Sequence, residues 1–192
     1  MTLLVIGLLV FLGVHSVRVF ADGWRTRTIA SWGEMRWKGL YTLASIVGLV
    51  LVVWGFGQAR TQPVQLWSPP LGLRHLASLL TLAAFILIAA AYVPGNHLKA
   101  RVGHPMVLGV KTWALAHLLA NGNLAHVLLF GGFLAWSVLL FVASRRRDRL
   151  AGTVYPAGRA GATVATVVAG IIAWAAFAFW LHGLLIGIRP VG

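Results

Sequence analysis

Long apolar segments separated by short polar ones dominate the pattern of this chain. Apolar windows long enough to cross a bilayer recur at residues 2–20, 40–57, 71–93, 105–121, 124–143 and 162–188. A membrane-spanning helix needs about 20 apolar residues, with a range of about 17–25. We therefore predict an all-α membrane protein, a single bundle of about six transmembrane helices. The fourth and fifth helices are nearly fused at residues 121–123.

The composition supports one membrane domain and excludes cysteine chemistry. Of 192 residues, 59% are hydrophobic and 10% are charged, whereas about a quarter of a soluble domain is charged. The polar segments are too short for a separate domain, so residues 1–192 are predicted to form a single transmembrane helical domain. No Lys or Arg precedes the first apolar window, unlike a secretory signal, which predicts a retained helix. The chain has no cysteine, which excludes disulfides and thiolate metal sites.

The net charge of +13 is distributed unevenly along the chain. Twelve of the sixteen basic residues fall in three alternate polar segments: Arg18, Arg25, Arg27, Arg36 and Lys38; Lys99 and Arg101; Arg145, Arg146, Arg147, Arg149 and Arg159. An excess of Lys and Arg marks cytoplasmic loops. We therefore predict a multi-pass protein of the bacterial inner membrane with both termini periplasmic. The cluster at 145–149 predicts an anchor at anionic lipid head groups, and we expect the bilayer, not a nucleic acid, as partner.

Acidic residues are rare and lie outside the predicted spans. The chain has only Asp22, Glu34 and Asp148, all in predicted cytoplasmic segments. Ion-coupled transporters usually carry buried carboxylates, so this pattern argues against one. It also excludes paired-carboxylate chemistry, and the sequence has no Gly-x-Ser-x-Gly elbow. Chemistry inside the bundle is therefore predicted to rest on histidine.

Two of the seven histidines, His15 and His117, lie within predicted spans. An ionisable side chain at this depth is costly, and it marks a functional site unless a neighbouring helix carbonyl satisfies it. Both readings are open for these two. Four others are predicted near the membrane surfaces. His75 and His97 are expected to be solvated, His126 to bond the hairpin, and His182 to be an interface anchor or a pocket wall.

The functional reading makes His15 and His117 the axial iron ligands of a haem. Imidazole is a common ligand for haem iron, and the chain offers no thiolate. A haem also needs flat apolar walls and cations for its propionates. Trp113, four residues before His117, lies on the same helix face. Arg18, three residues after His15, is placed to pair with a propionate.

His104 opens the fourth helix and faces away from His117. It precedes Pro105, which suits the first helical position, so His104 is predicted to be the cap. The thirteen residues from His104 to His117 span about 20 Å and about 220° of rotation. However, His104 matches the predicted depth of His15 better than His117 does. His104 is then either a residue beside the site or the iron partner of His15.

Two segments carry a resemblance to a known family. The sequences FLGVHSVRVF at 11–20 and GHPMVLGVKTWALAHLLANG at 103–122 resemble the NnrU family. These are small polytopic bacterial proteins named for a link to nitrite and nitric oxide reduction. The family is similar in turn to zeta-carotene isomerase of plants and cyanobacteria. With the six spans, the likeness extends over most of the chain.

The resemblance implies a haem b, ligated in the isomerase relatives by histidines that match His15 and His117, with His104 matching a further functional histidine. There the iron is thought to act on a cis double bond of a carotene without net redox change. For the bacterial family the resemblance implies a role associated with denitrification. Three functions follow: a haem-binding factor supporting denitrification, a haem-dependent cis–trans isomerase of a membrane polyene, and a scaffold without a cofactor.

Overall fold

A computed structural model describes residues 1–190, and its regular elements are helices. Helices α1 to α4 come first, at Thr2–His15, Val17–Phe20, Asp22–Trp32 and Glu34–Ala59. Helices α5 to α8 follow at Leu71–Tyr92, His97–Val102, Pro105–Ala120 and Leu124–Ala151. Helix α9, Ala160–Ala176, continues through a π-helical turn, Phe177–Leu181, into α10, His182–Ile186. The all-α prediction is confirmed.

The described residues contain four helices long and apolar enough to cross a membrane: α4, α5, α8 and the continuous helix Ala160–Ile186. The other two predicted spans form shorter apolar helices, α1 with 14 residues and α7 with 16. Helix α1 ends at His15, because the backbone of Ser16 departs from α-helical geometry, with φ of −90° and ψ of −4°. The structure therefore supports a membrane protein, but it does not confirm the predicted count of about six transmembrane helices.

Two segments predicted as loops are largely helical. Residues 22–38 form α3 and the start of α4, separated by Gly33. The basic cluster at 145–149 continues α8 without a break, because arginine is a good helix former. Helix α8 ends at Gly152, whose φ of +61° is a left-handed conformation that glycine adopts without strain. Helix α8 thus carries its charges beyond the apolar span.

The helices pack in a row with α8 near the centre. Helix α4 packs on α1, α1 and α7 pack on α8, α5 packs on α7, and α9 packs on α5. Glycine permits the closest approach, between α1 and α4. A Cβ at Gly7 would lie 2.5 Å from the Val52 nitrogen, and one at Gly55 would overlap the backbone of Leu4. Small residues serve this purpose in membrane bundles.

Loop contacts hold both ends of the α7–α8 region. On the side predicted to be periplasmic, Leu66 and Trp67 donate backbone hydrogen bonds to Gly122 at 2.8 and 3.0 Å. On the opposite side, Arg159 donates to the Gly95 carbonyl at 2.8 Å. These contacts fix α5, α7, α8 and α9, which carry most of the side chains considered below.

Candidate functional site

His15 lies at the end of α1 among aromatic rings. Its Nδ1 lies 2.7 Å from the carbonyl oxygen of Phe11, to which it donates when protonated there. The ring centroids of Phe11, Tyr41 and Trp136 lie 4.2, 5.3 and 6.1 Å from that of His15. The Trp136 Nε1 is buried and has no hydrogen-bond partner among residues 1–190. An unsatisfied donor therefore lies on a ring that packs against His15.

His117 uses the same backbone arrangement in α7. Its Nδ1 lies 2.8 Å from the carbonyl oxygen of Trp113, one turn earlier. The His117 ring stacks on Phe130 with centroids 4.4 Å apart, and it contacts Trp113 at 5.0 Å. The predicted neighbour Trp113 is thus in contact with His117. In both histidines the carbonyl takes the Nδ1–H, which leaves the Nε2 lone pair available.

The structure does not bring His15 and His117 together. Phe133 contacts Phe11 beside His15, with centroids 5.8 Å apart, and Trp113 beside His117, at 5.6 Å. A series of aromatic rings therefore connects the two imidazoles. The pairing of His15 with His117 on one iron stays a prediction.

An apolar cavity of about 200 Å³ adjoins His117 between α5, α7 and the α9–α10 helix. Its walls include Phe85, Trp113, Trp174, Phe177 and His182. His182 is therefore a pocket wall, one of the two roles that its sequence position left open. Its Nδ1 lies 2.6 Å from the Ile188 carbonyl oxygen. The π-helical turn contributes Phe177, and such turns are frequent at functional sites.

His104 lies in a separate polar cluster at the opposite end of α7. It is the N-cap of α7, as predicted. Its Nε2 lies 2.8 Å from Asp148 Oδ2, and the Tyr155 hydroxyl donates to the same oxygen at 2.8 Å. Burial, together with the hydrogen bond to Asp148, raises the pKa of Tyr155, so the phenol stays protonated and donates. His104 and His117 thus belong to different sites.

Arg18 lies near this polar cluster and not in the His117 cavity. Its Nε is 3.4 Å from Asp22 Oδ1 in an exposed ion pair. Arg18, His104 and Asp148 line a second cavity of about 610 Å³, which Arg147 also lines. The predicted pairing of Arg18 with a propionate stays a prediction.

Several residues of these sites were not predicted, although the sequence carries a signal for some. Phe130, Phe133 and Trp136 recur every three residues, a spacing that places them near one face of α8. Asp148 is the acidic residue after the α7–α8 hairpin, but its segment was predicted as a loop. Its contact with His104 depends on the helical extension of α8. The proximity of Trp174 and His182 to α7 depends on helix order, which periodicity does not reveal.

The haem implied by the resemblance can be tested against these groups. Metal-ligating histidines almost always donate their other ring N–H to a carbonyl, carboxylate or water. His15, His117 and His182 each have Nδ1 on a backbone carbonyl, so each imidazole fits an axial ligand. The unpartnered Trp136 Nε1 would be satisfied by an acceptor group. Within residues 1–190 no group of three His, Asp or Glu residues forms a candidate metal site.

Comparison with known proteins gives one result that covers nearly the whole chain. The family model described as NnrU protein matches residues 3–190. No curated protein and no solved structure matches the chain. The match includes all the helices that carry the two cavities and every histidine. The chain belongs to the NnrU family.

Proposed function

We propose that this NnrU family protein binds haem b in the inner membrane through His117 and thereby supports the reduction of nitrite and nitric oxide in denitrification. One observation carries the proposal. His117 has its Nδ1 on the Trp113 carbonyl and lines an apolar cavity with two tryptophans. A fixed imidazole beside apolar walls is what a haem site requires.

The histidines and tryptophans of the cavity have defined roles in this proposal. His117 holds the iron through Nε2, while the Trp113 carbonyl fixes the orientation of the ring. Trp113 and Trp174 provide flat walls, and the Trp174 Nε1 donates to Thr81 Oγ1 at 3.1 Å, which fixes the second indole. The second ligand is His182, on the same cavity, or His15, as the resemblance implies. When bound, haem would supply a one-electron redox centre.

The volume of the cavity favours a haem-binding factor over an enzyme for long polyenes. Most cofactor and ligand pockets have about 300–1,000 Å³, and this cavity has about 200 Å³. Haem binding therefore requires outward movement of a wall, and α9 with the π-helical turn forms the wall nearest the edge of the bundle. A long polyene requires a larger opening still.

The proposal includes six membrane crossings with both termini periplasmic. At 1.5 Å per residue, α1 and α7 are about 21 and 24 Å long, shorter than a hydrocarbon core of about 30 Å. Polar flanks and local thinning accommodate such mismatch. Arg147 donates to the carbonyl of Arg18 at 2.9 Å. Two of the predicted cytoplasmic segments therefore meet on one side of the bundle, which supports this topology.

An optical spectrum of the purified protein tests haem binding. We expect a Soret band in wild type and its loss in His117→Ala, because the variant removes an iron ligand. His104→Ala is the matched control, since His104 lies on the same helix in the polar cluster. That variant should keep the band. A colourless wild-type protein after expression with added haem precursor would contradict the proposal, as would a His117→Ala protein with an unchanged spectrum.

A haem-dependent cis–trans isomerase is the second candidate, and the apolar lining of the His117 cavity favours it. The test is incubation of the haem-loaded protein with a cis-polyene of the carotene class, followed by chromatographic separation of the isomers. Conversion that His117→Ala abolishes would favour the isomerase. No conversion by a protein with a full Soret band would leave the denitrification-linked factor.

A further inference from the structure

The cavity of about 610 Å³ beside Arg18 and Arg147 has both charged and apolar residues in its lining and lies apart from His117. Its volume falls within the range of about 300–1,000 Å³ typical of ligand sites. It lies between the end of α2 and the charged extension of α8. Neither the family match nor the proposed haem site accounts for it.

Two hydrogen bonds orient the guanidinium group of Arg147 in the lining of this cavity. Its Nη1 donates to the Arg18 carbonyl at 2.9 Å and its Nη2 to Ser144 Oγ at 2.8 Å. No carboxylate within residues 1–190 forms an ion pair with Arg147. A guanidinium has five N–H donors, and these two hydrogen bonds use two of them. The side chain is therefore oriented while other donors stay available.

The acidic group in the lining does not cancel this charge. Asp148 Oδ2 accepts from Tyr155 and lies 2.8 Å from His104 Nε2. Asp22, the partner of Arg18, is not in the lining. The Arg18–Asp22 pair is about half exposed, and exposed pairs of this kind are screened and weak. Two guanidinium groups and one engaged carboxylate leave the cavity positive.

The position of the cavity along α8 indicates which anions can reach it. The apolar window of this helix ends near residue 143, and Ser144, Arg147 and Asp148 follow within two turns. This is the level of the lipid head groups, where the cytoplasmic leaflet is anionic. Arginine recognises phosphate through paired N–H···O hydrogen bonds.

We propose that this cavity is a binding site for a phosphate group, supplied by the head group of an anionic phospholipid of the cytoplasmic leaflet. Arg147 and Arg18 contact the phosphate oxygens, and Ser144 keeps Arg147 oriented. The site is separate from the His117 cavity, because the two cavities share no lining residue.

Native mass spectrometry of the full chain in detergent, titrated with phosphatidylglycerol, tests this site. We expect saturable binding of one lipid to wild type, weakened about tenfold or more in Arg147→Gln, because hydrogen bonds to a charged group are lost. Arg146→Gln is the matched control. Arg146 is the preceding residue of α8 and carries the same charge, but it is exposed and does not line the cavity. Arg147→Lys keeps the charge but not the paired donors, and an intermediate loss is expected.

Parallel arms with phosphatidylcholine and inorganic phosphate identify the source of the phosphate. Preference for phosphatidylglycerol, with no competition by inorganic phosphate, supports the lipid head group. Competition by inorganic phosphate supports the same site with a free anion as its ligand. Equal weakening by Arg146→Gln and Arg147→Gln, or no saturable binding of either probe, would overturn the proposal. If Arg147→Gln does not fold, the lysine variant alone decides between these outcomes.

Discussion

The two ends of α7 carry two histidines in opposite surroundings. His117 lies in an aromatic environment, where the only hydrogen-bond partner of its ring among residues 1–190 is the Trp113 carbonyl. His104 lies in a polar cluster, bound to Asp148 and near Tyr155. The first imidazole is fixed by the backbone with one nitrogen available, whereas the second has its Nε2 committed to a carboxylate. The same residue type therefore serves as a potential ligand at one end and as a structural tie at the other.

The largest effect, a change in the haem spectrum, is expected on replacing the second histidine ligand that pairs with His117. His182 shares the His117 cavity, while His15 is separated from it by Phe133 and Trp113. If haem binds between His117 and His182 once the outer wall of this cavity has moved, His182→Ala should convert the haem spectrum to a five-coordinate form or lose the haem. His15→Ala should then keep the wild-type spectrum. The reverse result would show that the aromatic rings rearrange on binding and that the sequence-based pairing of His15 with His117 is correct.

A larger side chain in the cavity should reduce haem occupancy without removing a ligand. Ala178 is buried in the cavity wall, and Ala178→Phe fills space that the cofactor requires. Ala173→Phe on the same helix is the control, since Ala173 is exposed on the apolar surface. The measurement is the ratio of Soret to protein absorbance in the purified variants. Equal ratios in both variants would place the haem outside this cavity.

The sequence predicted where the helices begin and end better than it predicted which helices pack together. Helices α5 and α7 were predicted within one residue of their observed ends, because long apolar windows and the His104–Pro105 start define them. The end of α1 was predicted five residues too late, since apolar character continues past Ser16 while the backbone does not. The separation of His104 from His117 followed from helical rotation alone. Contacts of His182, Asp148 and Trp136 depend on which helices pack together, and periodicity carries no such information.

Removal of the Asp148 charge should destabilise the protein more than removal of the exposed charge at Asp22. Asp148 accepts hydrogen bonds from two partners and its side chain is 16% exposed, against 41% for Asp22. Asp148→Asn should lower the Tm, because hydrogen bonds to a charged carboxylate are lost. Asp22→Asn should have an effect near zero, as for most exposed pairs. Melting curves of the two variants in detergent measure this difference. Equal Tm values would contradict the prediction that the less exposed Asp148 contributes more to stability than Asp22.

The smallest effect is expected for Tyr155→Phe, which removes one hydrogen bond from the His104 cluster. The hydroxyl donates to Asp148 at 2.8 Å, and its loss should cost about 1 kcal/mol. Because burial and this hydrogen bond raise the pKa of Tyr155 in the folded protein above the ordinary 10.0, the stabilisation is fully present below pH 10 and decreases as the pH rises through the folded-state pKa. The Tm difference between wild type and Tyr155→Phe should therefore be constant from pH 7 to 9 and shrink at higher pH. No difference between wild type and Tyr155→Phe at any pH would show that the ring alone stabilises the cluster, and a difference that persists unchanged at the alkaline end would contradict stabilisation by a protonated hydroxyl that donates to Asp148.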